Sequence, residues 1–223
     1  FRFILGNIQD NFEKQNFQKL DVNTFSELER YIMHKLFSIN QSVKENLENY
    51  NFHKLYKELL NFCSLDLSSF YFDIRKDVLY CDSLESKKRK DCILVLNLIL
   101  DCLLKWFAPI FVFTTEEIYN LVNKKNESIH ELSFPEIPKS WKNEHLEKKW
   151  KSLFKIKQEA NIAIEEKRTS KEIGSSLEAD IEISVNKTEF DLLNGLDLAE
   201  YFITSNAKKF KNKNEEEKIK ILV

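Results

Sequence analysis

Two stripes of apolar residues at helical spacing constrain the fold of this sequence more than any other feature. Apolar side chains recur every three or four positions from residue 25 to residue 47, and the same spacing resumes at residue 52 and continues almost to residue 80. Only three glycines and three prolines occur in the 223 residues, so the sequence offers few of the turns that an all-β protein needs. The sequence therefore predicts long helices, the first two of which pack antiparallel.

Polar motifs predict where these helices begin. Residues 24 to 27, TFSE, match a capping box in which Thr24 covers free backbone N–H groups and Glu27 reaches back, so the first long helix is expected to start there. Asp82 and Ser83 are expected to open a third long helix, which ends near Trp106.

A proline interrupts the aromatic segment WFAPIFVFTTEEIY, residues 106 to 119. Pro109 has no N–H and disfavours helical geometry at the preceding residue, so it predicts a corner between two helices. Thr114 and Glu117 match a second capping box, which predicts that the next helix begins at this TTEE sequence. Glu116 and Glu117 would then lie in a first helical turn, where negative charge favours the dipole, and this explains them better than acid–base catalysis.

A polar stretch at residues 123 to 142, which carries Pro135 and Pro138, predicts a domain boundary. The expected domains are a helical bundle at 1–135 and a second module at 143–223.

The second module is expected to combine helices and strands. A charged helix from about residue 143 to 168 precedes a segment in which Ile181, Ile183 and Val185 alternate with polar residues, as in a half-exposed strand. The remaining expected elements are short helices at 189–193 and near 198, and strands at 201–204 and 219–223. The predicted fold class is mainly α, a helical bundle followed by a small α+β module.

The charge balance gives no global attraction to nucleic acid or to anionic membranes. Lys and Arg total 34 and Asp and Glu 36, so the net charge is −2 and any such partner must meet a local patch. The most apolar stretch, residues 93 to 113, carries Asn97, Asp101 and Lys105 at every fourth position. This spacing indicates a polar stripe on a buried helix, so no membrane partner is expected.

No catalytic or metal-binding motif is recognisable in the sequence. The four cysteines never lie two residues apart, so free thiols are expected, mostly in the core, as suits a reducing cytosol or organelle matrix. A glycine-rich phosphate loop is absent and the four histidines are scattered. We therefore expect no catalytic residue and no metal ligand.

Basic residues cluster at two places. Residues 139 to 171 contain ten Lys or Arg against five Glu, with Trp141 and Trp150 between them, and residues 87 to 90 read KKRK at a helix start. Lys and Arg bind phosphates, and exposed aromatic rings stack on unpaired bases for about 1–3 kcal/mol each, so the clusters predict RNA binding. An ordinary solvated helix face is the alternative for a charge run. A basic cluster at a helix N-terminus opposes the dipole, which favours a functional reason for KKRK.

Four segments together resemble the bacterial-type isoleucyl-tRNA synthetases, in the region that follows the catalytic core. They are FRFILGN at 1–7, YNFHKLYKELLNFCSLDLSSFYFDIRKDVLY at 50–80, WFAPIFVFTTEEIY at 106–119 and ANIAIEEKRTSKEIGSSLEADIEI at 160–183. The third segment is similar to an elbow that valyl and leucyl synthetases share, whereas the fourth favours isoleucine. The similarity covers the whole chain in order.

This resemblance implies an anticodon-binding bundle that contacts the anticodon stem and loop of an isoleucine-accepting tRNA. The HIGH and KMSKS signatures of the class are absent, so amino-acid activation is expected from catalytic and editing domains outside this chain. No cofactor is expected here, while the parent enzyme is expected to use ATP with Mg and, in many members, a C-terminal Zn module. The resemblance further implies a cytoplasmic (or organelle-matrix) monomer that also contacts its own catalytic domain.

The residues expected to contact RNA are polar or basic side chains from both halves. Arg2 and Asn7 are candidates for RNA or for a domain junction, whereas Asp73, Lys76 and Asp77 are expected to form internal pairs. The other RNA-binding candidates are Lys87, Lys88, Arg89, Lys90, Lys148, Lys149, Lys151, Lys167, Arg168 and Lys171.

Two alternatives fit the same sequence. The chain could be the matching region of a valyl- or leucyl-tRNA synthetase, or a helical protein-interaction module without RNA binding.

Overall fold

The chain forms two units, a helical one at Phe1–Asn143 and a mixed one at Glu144–Val223. The computed structural model describes residues 1–8, 16–123, 127–212 and 219–223. The observed architecture confirms the predicted fold class, a mainly α bundle followed by a small α+β module.

The first unit consists of six α-helices and one π-helical stretch among the described residues. The elements are α1 (Arg2–Ile8), α2 (Glu27–Glu48), α3 (Phe52–Asn61), the π-helical stretch (Phe62–Phe72), α4 (Asp73–Cys81), α5 (Lys87–Phe107) and α6 (Val112–Val122). The second apolar stripe thus forms one continuous helical rod from α3 to α4. The middle of this rod is π-helical over 11 residues, and the apolar spacing did not predict this departure from the α-helix.

Helix α5 lies at the centre of the first unit. It contacts α1, α2, α4 and α6, and the side chains of Leu96, Leu98, Ile99 and Leu100 are fully buried. The expected polar stripe is present, since Asn97 and Asp101 are buried and Lys105 donates to the Asp101 carboxylate at 2.8 Å. Because α5 is buried on nearly all sides, apolar residues fill the positions between these polar ones.

A buried ion pair joins α2 to α4. The Arg75 Nε and Nη2 atoms donate to the two Glu29 carboxylate oxygens at 2.6 and 2.8 Å, and both side chains are almost fully buried. Burial raises the pKa of the Glu29 carboxyl, but the charge and the hydrogen bonds of Arg75 outweigh burial and hold this pKa below its usual value. The pair therefore fixes α2 against α4 as long as both groups are charged.

The segment after α6 also belongs to the first unit. The Asn40 amide donates to the Pro135 carbonyl at 3.0 Å and accepts from the Trp106 indole N–H at 3.0 Å. The backbone N–H of Asn143 donates to Nδ1 of the buried His34 at 3.0 Å. These bonds attach the polar stretch to α2, so its end coincides with the end of the unit.

The predicted helix starts were wrong at all three places. Helix α2 has Ser26 as its N-cap, because Thr24 closes a 3-10 turn in which its hydroxyl donates to the Asp21 carbonyl at 2.8 Å. Helix α5 has Ser86 as its N-cap, and the Ser86 hydroxyl accepts from the Arg89 N–H at 3.4 Å. The expected cap residues Asp82 and Ser83 precede it.

The helix after the elbow also begins earlier than predicted. Pro109 does form a corner, but α6 begins at Val112, so Thr114 and Glu117 lie inside the helix. The Phe111 N–H donates to the Phe107 carbonyl at 2.7 Å, which tightens the turn and lets the helix start two residues before TTEE.

The second unit packs one long helix and two short ones with a three-stranded sheet in its described part. Its elements are α7 (Glu144–Thr169), β1 (Asp180–Val185), α8 (Lys187–Leu192), α9 (Leu198–Phe202), β2 (Asn206–Lys211) and β3 (Lys220–Leu222). The strand order is β2-β1-β3, with β1 parallel to β2 and antiparallel to β3. As predicted, Ile181, Ile183 and Val185 form the buried face of β1.

The strand expected at 201–204 is absent from this unit. Tyr201 and Phe202 end α9, whose start is capped by the Asp197 carboxylate, and Ile203 closes the helix with a left-handed backbone (φ 59°). The strand begins two residues after 204, at Asn206. No helix in the described ranges combines the length and the apolar character that crossing a membrane requires.

Candidate nucleic-acid interface

The KKRK cluster, defined as Lys87, Lys88, Arg89 and Lys90, forms the first turn of α5. The Lys87 ammonium donates to the Thr24 carbonyl at 2.8 Å and to the Asp91 carboxylate at 2.5 Å. Lys90 donates to the Glu85 carboxylate at 2.5 Å. The cluster therefore lies where the turn before α2 meets the loop that enters α5.

The members of the KKRK cluster differ in how accessible they are. The side chains of Lys87 and Lys90 are 70% and 57% exposed, and Glu85 is also largely exposed. Exposed ion pairs contribute only about 0–1 kcal/mol, so both ammonium groups can exchange a carboxylate for a phosphate at small cost. The half-buried Arg89 instead donates to the Asp82 carbonyl at 2.6 Å, which holds the loop. Lys88 is half-buried.

Arg2 lies at the other end of α5 from the KKRK cluster. It follows Phe1, whose ring packs edge-on against Phe107 with centroids 6.3 Å apart. The 21 residues of α5 span about 30 Å, so the structure does not bring Arg2 together with the cluster. Asn7 donates to the Phe3 carbonyl at 2.8 Å within α1. Arg2 therefore does not share a site with the KKRK cluster, and the Asn7 side chain is engaged within its own helix.

In the second unit, the basic candidates on and after α7 form two separate groups. Lys148 and Lys151 are exposed and Lys149 is half-buried near the start of the helix, where Lys151 pairs with Glu147 at 2.9 Å. Lys167 and Arg168 lie in its last turn, paired with Glu172 and Glu165, and Lys171 follows in the next loop. About 25 Å of helix separates the groups, so each would contact a different part of a nucleic acid.

Two lysines of the basic run on α7, Lys155 and Lys157, differ in their exposure. Lys155 is exposed one turn after Lys151, and its place in the series 148, 151, 155 at helical spacing would have identified it as a further candidate. Lys157 is buried, donates to the Tyr201 carbonyl and lies 4.9 Å from the centre of the Tyr201 ring. Although it belongs to the basic run, its role is structural.

The expectation that Trp141 and Trp150 stack on bases was wrong. Each is only 1% exposed. Trp141 packs on Phe17 at 5.6 Å, and Trp150 packs on Tyr201 at 5.7 Å. Trp150 falls on the apolar face of α7, and such a large ring stabilises the core more than the surface.

Glu116 has a different role from the one expected of a first-turn carboxylate. It is the fifth residue of α6, and its carboxylate accepts from the Ser128 hydroxyl at 2.9 Å and from the Ile129 N–H at 3.0 Å. The hydrogen bond from Ser128 lowers the pKa of this carboxyl. Glu116 therefore anchors the segment that follows α6.

The internal ion pair that was expected between Lys76 and Asp73 is present, with the Lys76 ammonium 2.6 Å from the Asp73 carboxylate.

Sequence reasoning missed one basic surface, on the sheet of the second unit. Lys208 and Phe210 on β2 and Lys220 on β3 are exposed. In the sheet register Phe210 lies beside Ser184, and Ser184 lies beside Lys220. The alternation in NAKKFK could have revealed this face if the strand had been placed at Asn206.

The described residues offer no place for a metal ion. Nowhere in the ranges that the structure describes do three His, Cys, Asp or Glu side chains come together in a way that could hold one. All four cysteines are free thiols, two of them fully buried, and burial raises the pKa of the Cys63 thiol to about 11.

Comparison with known proteins agrees with this architecture. The family model for the anticodon-binding domain of tRNA ligase matches residues 29–183. An isoleucine–tRNA ligase of Pelagibacter ubique is 54% identical over 207 residues, which is 93% of this chain and 23% of that protein. Similar enzymes of Agrobacterium fabrum and Zymomonas mobilis are 39% and 34% identical over 92% of this chain.

The chain spans about a fifth of the length of these curated relatives. The match runs through both units, from α2 to β1. The chain therefore belongs to the anticodon-binding domain family of tRNA ligases and corresponds to that region of the bacterial isoleucine–tRNA ligases.

Proposed function

We propose that this chain recognises the anticodon stem and loop of an isoleucine-accepting tRNA, as part of a synthetase that ligates isoleucine to that tRNA with ATP. The KKRK cluster carries the proposal, because it presents two exposed ammonium groups beside the turn that precedes α2. Lys90 pairs with the exposed Glu85, which a phosphate can replace at small cost, and Lys87 pairs with the half-buried Asp91 while its own ammonium stays exposed.

Anticodon loops suit such a surface for a physical reason. Side chains cannot read base edges in the deep, narrow major groove of duplex RNA, whereas unpaired loop bases are open to hydrogen bonding and stacking. Phosphate contacts from Lys87 and Lys90 would supply affinity and register without sequence preference. Further cations for phosphates lie on the second unit, at Lys148, Lys151 and Lys155 of α7.

Activation of isoleucine is assigned to the parts of the synthetase that this chain does not contain. The relatives are about four to five times as long as their match to this chain, which leaves room for a catalytic domain. The proposed parent is a cytoplasmic monomer.

Titration with tRNA transcripts tests the proposal. The chain is titrated at two salt concentrations with the isoleucine transcript, with anticodon-substituted versions of it, and with valine and leucine transcripts. We expect the isoleucine transcript to bind most tightly. Equal affinity for all transcripts would exclude anticodon reading, and no binding at low salt would favour a protein-interaction module instead.

A further inference from the structure

An exposed aromatic surface lies where α3 meets the elbow between α5 and α6. The Tyr56 and Phe111 rings pack edge to face with centroids 6.1 Å apart, and Phe111 stacks on Phe107 at 5.3 Å. Phe113 is 89% exposed. Exposed apolar side chains also lie one helical turn before and after Tyr56 and directly after Phe111 in the chain, and we call the whole set the aromatic patch: Phe52, Tyr56, Leu60, Phe111, Val112 and Phe113.

The aromatic patch is large enough to indicate an interaction surface. A complete aromatic side chain offers about 150–250 Å², so its four partly exposed rings leave on the order of 400 Å² of apolar surface. The largest apolar patch on a typical monomeric protein measures about 300–600 Å² and is often functional. The elbow itself carries no charge, since residues 106 to 115 contain no Asp, Glu, Lys or Arg.

The patch lies far from the proposed RNA contacts of the first unit. Helix α5 begins at the KKRK cluster and ends at Phe107, so about 30 Å of helix separates the two surfaces. The elbow offers no cation to a phosphate, and phosphate contacts dominate the affinity for nucleic acid; the exposed Lys54 and Lys57 lie on the α3 side of the patch, where Glu58 follows them. A protein surface fits the patch better than RNA does.

The first residue of the chain shows which protein surface is adjacent. Phe1 packs on Phe107, which in turn stacks on Phe111 of the patch. Helix α1 is fixed to the bundle, because Ile4 and Ile8 are buried and Phe3 stacks on Phe72 at 4.4 Å. Any polypeptide that precedes Phe1 therefore leaves the bundle beside the aromatic patch.

We propose that the aromatic patch is the docking surface for the part of the synthetase chain that precedes Phe1. This inference rests on the proposed function, which places this chain within a longer synthetase. A domain tethered at Phe1 has an effective concentration near the millimolar range, so a patch of this size suffices to hold it. The patch thereby fixes the bundle relative to the preceding domain.

Photo-cross-linking in the full-length synthetase tests the docking surface. A benzoylphenylalanine residue is placed at position 113 and, as a matched control, at position 121, where Leu121 is 71% exposed on the same helix. Irradiation without RNA is expected to link position 113, but not position 121, to a peptide that precedes Phe1. Links only within residues 1–223, or to a second copy of the protein, would overturn the proposal.

A substitution provides a second and independent readout. Phe113→Asp is expected to weaken docking about tenfold or more, the loss typical of a central aromatic anchor, and so to raise the radius of gyration in small-angle scattering. Leu121→Asp should leave the radius unchanged, and circular dichroism confirms the helix content of both variants. An unchanged radius in Phe113→Asp, or weaker transcript binding without a change of radius, would overturn docking.

The two proposals fail in different experiments. The docking measurements contain no RNA, so a bundle that binds no transcript can still show the cross-link at position 113. Conversely, transcript preference can hold while docking fails.

Discussion

Neutralising Lys87 and Lys90 should change the salt dependence of RNA binding by a predictable amount. In a Lys87→Gln, Lys90→Gln variant, each lost phosphate contact reduces the slope of log affinity against log salt by about 0.7 for single strands and 0.9 for duplex. Two contacts therefore reduce the slope by about 1.4–1.8. Between about 50 and 200 mM salt, the affinity of the variant should fall about 7- to 12-fold less than that of the unchanged chain.

The structure indicates that this substitution removes two positive charges with little effect on the stability of the fold. Both side chains are exposed, and losing their ion pairs with Asp91 and Glu85 should cost about 0–1 kcal/mol each. Fluorescence anisotropy at four salt concentrations gives the slope, and thermal unfolding checks the fold. The matched control is Lys54→Gln, Lys57→Gln, which removes the same charge from exposed positions on α3 beside the aromatic patch.

Two outcomes would refute the reasoning. If the control reduces the slope as much as the test variant, the effect comes from net charge and not from the KKRK cluster. If the test variant weakens binding to one anticodon only, its lysines contact bases and not phosphates.

Four further variants test the packing that supports the site. Arg75→Met should lower the free energy of unfolding in urea by about 3–5 kcal/mol because it leaves the Glu29 carboxylate buried without its partner; a loss below 1 kcal/mol would contradict this. Since the folded pKa of Glu29 lies below its usual 4.5, its stabilisation is complete above that value and is lost as pH falls through the folded pKa. On acidification, the melting temperature of a variant with Met at both position 29 and position 75 should therefore drop less than that of the unchanged chain. An equal drop would argue against the lowered pKa of Glu29. Pro109→Ala should change stability by about 1 kcal/mol or less and leave transcript preference intact, and a folded variant with altered preference would count against a purely architectural corner. Trp150→Ala should cost about 3–5 kcal/mol, because its ring is buried against Tyr201. RNA affinity of the folded fraction should stay unchanged, and a selective loss would restore a binding role for this ring.

Apolar spacing predicted the long helices because burial on one face imposes a three-to-four period on the sequence. It did not predict where they begin, because several adjacent Ser, Thr and Asp residues can cap a helix and tertiary packing selects among them. Ser26 is used at α2, although Thr24 with Glu27 and Ser26 with Glu29 match the capping-box pattern equally well. The sequence likewise predicted β1 from its alternation, but placed the next strand where Tyr201 and Phe202 end a short helix.

The sequence predicted which charged residues belong to the candidate site, but it did not predict the contacts that these residues make. A run of lysines is visible in the sequence, whereas its division into exposed Lys155 and buried Lys157 depends on where Tyr201 packs. The Glu29–Arg75 pair joins residues 46 positions apart, so no local pattern reveals it. The aromatic patch escaped notice because exposed and buried aromatic side chains look the same in a sequence.

The π-helical stretch Phe62–Phe72 determines how α4, the helix that follows it, is rotated about its own axis. Each of its turns holds more residues than an α-helical turn, and the Ser69 hydroxyl bonds to the Ser64 carbonyl five residues back. Deleting one exposed residue there, such as Ser68, would turn α4 by about 100° and carry Arg75 away from Glu29. The length of the π-helical stretch thus determines the orientation of α4 about its axis, and an insertion or deletion within the stretch would rotate α4.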